Sequence, residues 1–291
     1  MKKKEIVPIV FSVDDNYIFP LSVAIYSVKK HLKGNKLIYV FYDKLNDDSK
    51  QKIINLSDEK TEIKLLCVSE EVKGNSFYTT YHFSVAMYYR FFIPILLKEY
   101  EKVLYLDCDI MAKKQISSLL NLDINDYVIA GVRDFGKDDE KYINSGVLLF
   151  NVKKCNEFNF TQKCLQYVEK NRDLSLPDQD TINSVCKERV LMLESKYNFQ
   201  VASLFLKMQT IPNVNVNLEA KKLGAKIKDI IFIHYVSCEK PWNCYDLPFS
   251  KIWWKYALSL PKEYTSGKTV YYHKVEFIIK IKRLLKRILK R

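Results

Sequence analysis

The chain has 291 residues, 48% apolar and 28% charged, the mixture of an ordinary globular protein, which excludes a disordered or fibrous polymer. A chain of this length buries a sizeable core without disulfides or structural metals. The formal net charge is +13, but residues 268 to 291 hold nine Lys or Arg against Glu276 alone, so about eight of the thirteen surplus charges lie in that tail and the rest is only mildly basic.

The start, Met1-Lys2-Lys3-Lys4, runs into an apolar stretch too short for a signal-peptide core. No segment reaches the roughly 18 uninterrupted apolar residues of a membrane-spanning helix, so the expectation is a cytoplasmic protein. Ile6 to Val13 reads as a strand buried on both faces. Leu21, Ala24, Ile25, Val28 and Leu32 follow at helical spacing. Leu37 to Phe41 predicts a second strand, Asp47 and Asp48 the cap of a helix through Leu56, Ile63 to Val68 a third strand, and Val85 to Leu97 a helix. Lys102 to Leu106 is the fourth strand and ends at Asp107-Cys108-Asp109. Further on, Val128 to Val132 and Val147 to Asn151 read as strands around a polar loop, Arg133 to Ser145. Cys155 to Lys170 and Thr181 to Lys187 read as helices, and Ile230 to Tyr235 as a late strand ending near His234. This alternation predicts an α/β fold, a mostly parallel central sheet flanked by helices. The cysteines at 67, 108, 155, 164, 186, 238 and 244 form no CxxC pair and are expected to be reduced and mostly buried.

In open α/β sheets ligands bind at the carboxyl ends of the strands. Asp14, Asp15 and Asn16 close the first strand there, and Asp107 and Asp109 the fourth. Two carboxylates one residue apart at a strand end turn toward one hard cation, and an ion with few protein ligands keeps positions open for a diphosphate. Solvated carboxylates at a strand end are the plain alternative, as are a strand-to-helix turn for Asp14 to Asn16 and a core histidine for His234.

Six stretches together resemble glycosyltransferase family 8, particularly its bacterial lipooligosaccharide galactosyl- and glucosyltransferases: FSVDDNY (11 to 17), RFF (90 to 92), KVLYLDCDI (102 to 110), NSGVLLFNVKK (144 to 154), PDQDTIN (177 to 183) and HYVSCEKPW (234 to 242). The resemblance implies a GT-A-type catalytic domain over residues 1 to 262, with a Rossmann-like nucleotide-binding half. It implies that Asp107, Asp109 and His234 hold Mn²⁺, or Mg²⁺, on the diphosphate of UDP-galactose or UDP-glucose, with Cys108 between them and Lys240 a second cation on those oxygens. Ser12, Asp14 and Asn16 would meet the uridine. Arg90 and Asp178 would contact the donor sugar, Asn144 and Gln179 would lie near the reacting face, and Asp134 near donor or acceptor. The family retains anomeric configuration. Same-face attack is favoured over a double displacement, because a neutral amide such as Gln179 is a poor nucleophile. Ser237 departs from the family, which often carries Gly there; the expected acceptor is a lipopolysaccharide, lipooligosaccharide or other surface glycan.

Residues 263 to 291 read as a basic amphipathic tail. Phe277, Ile278, Ile281, Leu284, Leu285 and Ile288 share one helical face with Lys and Arg opposite, which suits an anionic membrane surface. The expectation is peripheral attachment to the inner face of the cytoplasmic membrane through residues 268 to 291, against a helix packed on the catalytic domain. A glycosyltransferase acting on a protein or soluble glycan is the alternative function. A basic nucleic-acid-binding protein is weaker, because the charge is concentrated in the tail and the acidic clusters repel phosphates.

Overall fold

The computed structural model describes residues 6–265 except 76, 80–83, 211–214 and 245, so the helix expected after residue 265 lies outside the described residues. The strands are β1 Ile9–Ser12, β2 Lys36–Tyr42, β3 Thr61–Cys67, β4 Lys102–Leu106, β5 Ile110–Ala112, β6 Ile129–Arg133, β7 Ile143–Asn151, β8 Val190–Leu193, β9 Phe199–Gln200 and β10 Phe232–His234. Seven form a sheet in the order β3-β2-β1-β4-β7-β6-β8, and three a small sheet, β5-β10-β9. Pairs β1–β2, β2–β3, β1–β4 and β6–β8 are parallel. Only β7 runs against its neighbours β4 and β6, so the sheet is mostly parallel.

Alternation along the strands divides the core in two. Ile9, Phe11, Ile38, Val40, Leu104 and Leu106 face one layer; Val10, Tyr39, Phe41, Val103 and Tyr105 face the other. Each buried Val, Leu, Ile or Phe contributes roughly 1.5–3 kcal/mol through removal from water. Burial on both faces explains why these strands read as unbroken apolar runs.

Several elements depart from the sequence reading for local reasons. The helix Asp47–Ile54 is capped by Asn46, whose side chain accepts from the Ser49 N–H at 2.8 Å, and not by Asp47 or Asp48. The segment expected as one helix over 85–97 is a 3-10 helix, Val85–Phe92, and a short α-helix, Ile93–Leu96, with Pro94 in its first turn. The segment expected as one helix over 155–170 is two, Val152–Glu157 and Phe160–Lys170, parted by Asn159 at φ 56°. The loop expected to run through Ser145 ends earlier, because Ile143 to Gly146 already belong to β7. At the far end Tyr264 is buried and its hydroxyl donates to the Lys52 carbonyl at 2.7 Å, so packing continues to Thr265, past the expected boundary at 262. Among the described residues no helix is long and apolar enough to cross a membrane.

Candidate active site at the carboxyl edge of the sheet

Register, not sequence proximity, assembles this site. Asp107 to Asp109 form the turn between β4 and β5. The antiparallel pairing of β5 with β10 sets His234 opposite Ile110, and the Tyr235 N–H donates to the Asp109 carbonyl at 3.2 Å. Because β7 is antiparallel to β4, its amino end arrives at the same edge, where the Asp107 N–H donates to the Gly146 carbonyl at 2.9 Å.

Each of the three expected metal ligands has one polar atom engaged by a neighbour and another left toward the centre. Asp107 Oδ1 accepts from Arg90 Nη2 and the Tyr105 hydroxyl, both at 2.8 Å, leaving Oδ2. Asp109 Oδ2 accepts from Lys240 Nζ at 2.5 Å, while its Oδ1 is buried with no hydrogen-bond partner among the described residues. His234 Nδ1 meets Asn198 Oδ1 at 2.9 Å, and its Nε2 lies 3.2 Å from Asp109 Oδ1 and 3.9 Å from Asp107 Oδ2. A buried carboxylate oxygen facing an imidazole nitrogen without a hydrogen bond is repulsive unless a proton or a cation lies between them. One ligand atom from each residue falls within 4.8 Å of the others. Two carboxylates and one imidazole suit a divalent ion such as Mn²⁺ that keeps open positions, so the residues fit the expected metal. Gly146 makes the approach possible: a Cβ there would sit 2.2 Å from His234 Cε1 and 2.7 Å from Asp107 Oδ2.

Electrostatics follow from burial and pairing. Burial opposes the charge on Asp109, but Lys240 and His234 outweigh it and hold the carboxyl well below the usual carboxylate range. Burial, with Asp107 and Asp109 adding to it, pushes the Cys108 thiol far up. That side chain is committed to the Ser12 carbonyl, to which its Sγ donates at 3.2 Å. Arg90 is buried beneath the site, donating to the carbonyls of Met87 at 2.8 Å and Ser145 at 2.7 Å and pairing with Asp107 and with Asp178 at 3.1 Å. Burial raises the Asp178 carboxyl, with Arg90 opposing, and Asp178 also accepts from the Ser145 hydroxyl at 2.8 Å.

A second layer of amides spans the amino end of β7 and the helix Pro177–Cys186. Gln179 Oε1 accepts from the Ser145 N–H and from Asn144 Nδ2, both at 3.0 Å, and Gln179 Nε2 donates to Asp134 Oδ2 at 2.8 Å. Asp134 Oδ1 accepts from the Gly136 N–H at 2.7 Å. At the end of β1, the Ser12 hydroxyl is buried without a hydrogen-bond partner among the described residues. Asp14 accepts from the Asn16 N–H at 2.9 Å, while exposed Asp15 binds Asn46. Tyr17 stands edge-on to Trp242, ring centroids 6.1 Å apart, and burial together with Asp109 raises its hydroxyl. Lys240 also donates to the Tyr235 carbonyl at 2.6 Å, and Ser237 in the same loop has φ 83°.

The structure thus gathers Arg90, Asp107, Asp109, Asp134, Asn144, Asp178, Gln179, His234 and Lys240 into linked contacts, and Cys108 ties the Ser12 strand end to them. Gly146, Tyr105, Tyr17 and Asn198 belong to the site without having been singled out in the sequence. A glycine inside a strand signals close approach, and Tyr17 and Tyr105 lie within motif stretches, but Asn198 carries no signal of its own.

The model of glycosyl transferase family 8 matches residues 8–245. A lipopolysaccharide 1,2-glucosyltransferase of Escherichia coli strain K12 is 31% identical over 274 residues, 87% of this chain and 78% of that protein. General stress protein A of Bacillus subtilis strain 168 is 29% identical over 84% of this chain and 90% of its own length. Among solved structures, an active-site mutant of LgtC aligns with a TM-score of 0.74 at 24% identity, covering 90% of this chain and all of that one, a likeness that shows the GT-A fold. The glycosyltransferase GlyE of Streptococcus pneumoniae TIGR4 aligns with a TM-score of 0.70 at 25% identity, covering 94% of this chain and 64% of that one.

Proposed function

This chain belongs to glycosyltransferase family 8, and from that premise we propose that it is a retaining hexosyltransferase, moving galactose or glucose from a UDP-sugar to a surface glycan such as a lipopolysaccharide or lipooligosaccharide. The observation that carries the reading is the convergence of Asp107, Asp109 and His234 at the carboxyl edge of the sheet, with a buried Asp109 oxygen lacking a hydrogen-bond partner among the described residues. When bound there, Mn²⁺ or Mg²⁺ would supply Lewis-acid stabilisation of charge developing on the diphosphate.

The chain's own residues divide the remaining work. Lys240, now paired with Asp109 and the Tyr235 carbonyl, supplies positive charge for the diphosphate oxygens. Ser12, Asp14 and Asn16 receive the uridine: the Ser12 hydroxyl is buried without a hydrogen-bond partner among the described residues, and Asp14 and Asn16 close the strand beside it. Arg90 holds Asp107 and Asp178 in place from beneath. In same-face transfer the bond from the sugar C1 to the diphosphate oxygen breaks with its electron pair on the leaving group. The acceptor hydroxyl oxygen bonds C1 on that face, and its proton passes to a departing phosphate oxygen. The Gln179 carbonyl oxygen already accepts two hydrogen bonds, which supports this course over nucleophilic attack by Gln179. The 31% identity to a lipopolysaccharide glucosyltransferase supports the acceptor class.

Transfer and hydrolysis assays with UDP-galactose and UDP-glucose, run with Mn²⁺ or with EDTA, test the reading. UDP release from one of the two donors should require metal and fall roughly a hundredfold or more in Asp109→Asn. UDP release indifferent to EDTA, or none from either donor with metal present, would refute it.

A further inference from the structure

We propose that Asn198 fixes the ring tautomer of His234, so that Nε2 presents its lone pair to a cation shared with the Asp107 and Asp109 carboxylates. The proposal rests on the metal reading above and adds to it a residue whose side chain contacts His234 and Asn144. Asn198 immediately precedes β9, which runs parallel beside β10 with Gln200 opposite His234. It is fully buried, as His234, Asn144 and Gln179 very nearly are, so no bulk water replaces a lost partner.

The polarity of the chain of amides follows from two backbone donors, which cannot be reversed. The Gly146 N–H donates at 3.1 Å to one terminal atom of Asn144, which must be its oxygen. The Ser145 N–H donates at 3.0 Å to Gln179 Oε1, so the Asn144 atom 3.0 Å from that oxygen must be its nitrogen. Both anchors orient Asn144 the same way, which removes the usual ambiguity of amide assignment. The Asn198 atom 2.8 Å from Asn144 Oδ1 is therefore Nδ2, and its Oδ1 is the atom 2.9 Å from His234 Nδ1. An amide oxygen there requires a hydrogen on Nδ1. In the neutral ring Nε2 is then unprotonated, the state in which an imidazole ligates a metal.

The test uses the full chain with ¹⁵N-labelled histidine, wild type against Asn198→Leu and Asn198→Asp. Long-range ¹H–¹⁵N spectra recorded over a series of pH values, without metal and with diamagnetic Mg²⁺, read which ring nitrogen carries the hydrogen, with His234 assigned from a His234→Gln variant. Calorimetry reads Mn²⁺ affinity. Wild type should carry the hydrogen on Nδ1. The Leu variant should lose that preference and roughly 10- to 100-fold in Mn²⁺ affinity, while Asp, which still accepts from Nδ1, should keep both. Equal weakening by Leu and Asp, or an unchanged tautomer in Leu, overturns the proposal. Should Leu fail to fold, the Asp variant decides, since a hydrogen moved to Nε2 there would equally overturn it. A wild type that binds no Mn²⁺ yet shows the Nδ1 hydrogen would refute the metal reading and leave the tautomer assignment standing.

Discussion

Gly146 and Ser237 show how single backbone positions govern this site. The Cβ that Gly146→Ala would add overlaps the His234 ring and an Asp107 oxygen. Neither neighbour is a flexible chain end free to move aside, because His234 is held by Asn198, and Asp107 by Arg90 and Tyr105. Displacing either proposed ligand by about 1 Å should cost on the order of a hundredfold in turnover. A Gly146→Ala enzyme that keeps wild-type kcat and Mn²⁺ affinity would contradict this placement. Ser237 is the opposite case: it holds φ 83°, where an L-residue pays about 1–2 kcal/mol, and its hydroxyl bonds Glu239. Glycine relieves that strain but adds about 0.5–1 kcal/mol of chain entropy to the unfolded state. Ser237→Gly should therefore be neutral to about 1 kcal/mol more stable by denaturant midpoint, with donor affinity undiminished; destabilisation beyond about 1 kcal/mol would show that the Glu239 contact outweighs the strain. The sequence flagged this position through its departure from the family's Gly, whereas the conformation itself required the structure.

At the scale of elements, legibility tracked how much of each segment serves the core. β1, β2 and β4 are apolar apart from Ser12, Lys36 and Lys102 at their ends and were readable at once. The amino end of β7 was read as loop because Asn144 and Ser145 are polar, yet they occupy strand positions that present the Asn144 amide to Gln179 and the Ser145 hydroxyl to Asp178. β5 and β10, with three residues each, and β9, with two, are too short to show a period, so the small sheet that delivers His234 was visible only as the apolar run around Ile230 to Tyr235. The cap of the helix Asp47–Ile54 was misplaced by one residue. Asn46 satisfies a first-turn N–H, so Asn46→Ala should cost about 1 kcal/mol and Asp47→Ala far less; the reverse order in urea titrations would return the cap to Asp47. Nearby, Lys29 bonds Asp58 and holds its carboxyl down at about 2 against an ordinary 3.8. A depressed folded-state value means stability present above about pH 4 and lost as pH falls toward 2. With Asp58 half exposed, the effect is screened to below about 1 kcal/mol. Lys29→Met should flatten that part of the acid stability profile, and an unchanged profile would show that the pair contributes nothing.

Over the whole molecule, the charge has one location and the chemistry another. The carboxylates and their partners lie on the carboxyl edge of the sheet, whereas nine Lys or Arg fall in residues 268 to 291. Each basic residue near an anionic bilayer contributes about 1 kcal/mol, attenuated within a Debye length, and the apolar face expected of Phe277 to Ile288 would add insertion that salt does not screen. The attachment expected of this tail would therefore have two components. The full chain should bind vesicles containing phosphatidylserine and be weakened but not abolished by high salt, whereas a chain ending at Thr265 should stay unbound. Thr265 is the right end point, because a cut at Pro261 would also remove buried Tyr264 and its bond to the Lys52 carbonyl and so confuse loss of the tail with loss of packing. Turnover on a soluble acceptor should survive the cut, since the site residues all precede it. Equal vesicle binding by the two chains would transfer the membrane contact to the folded domain.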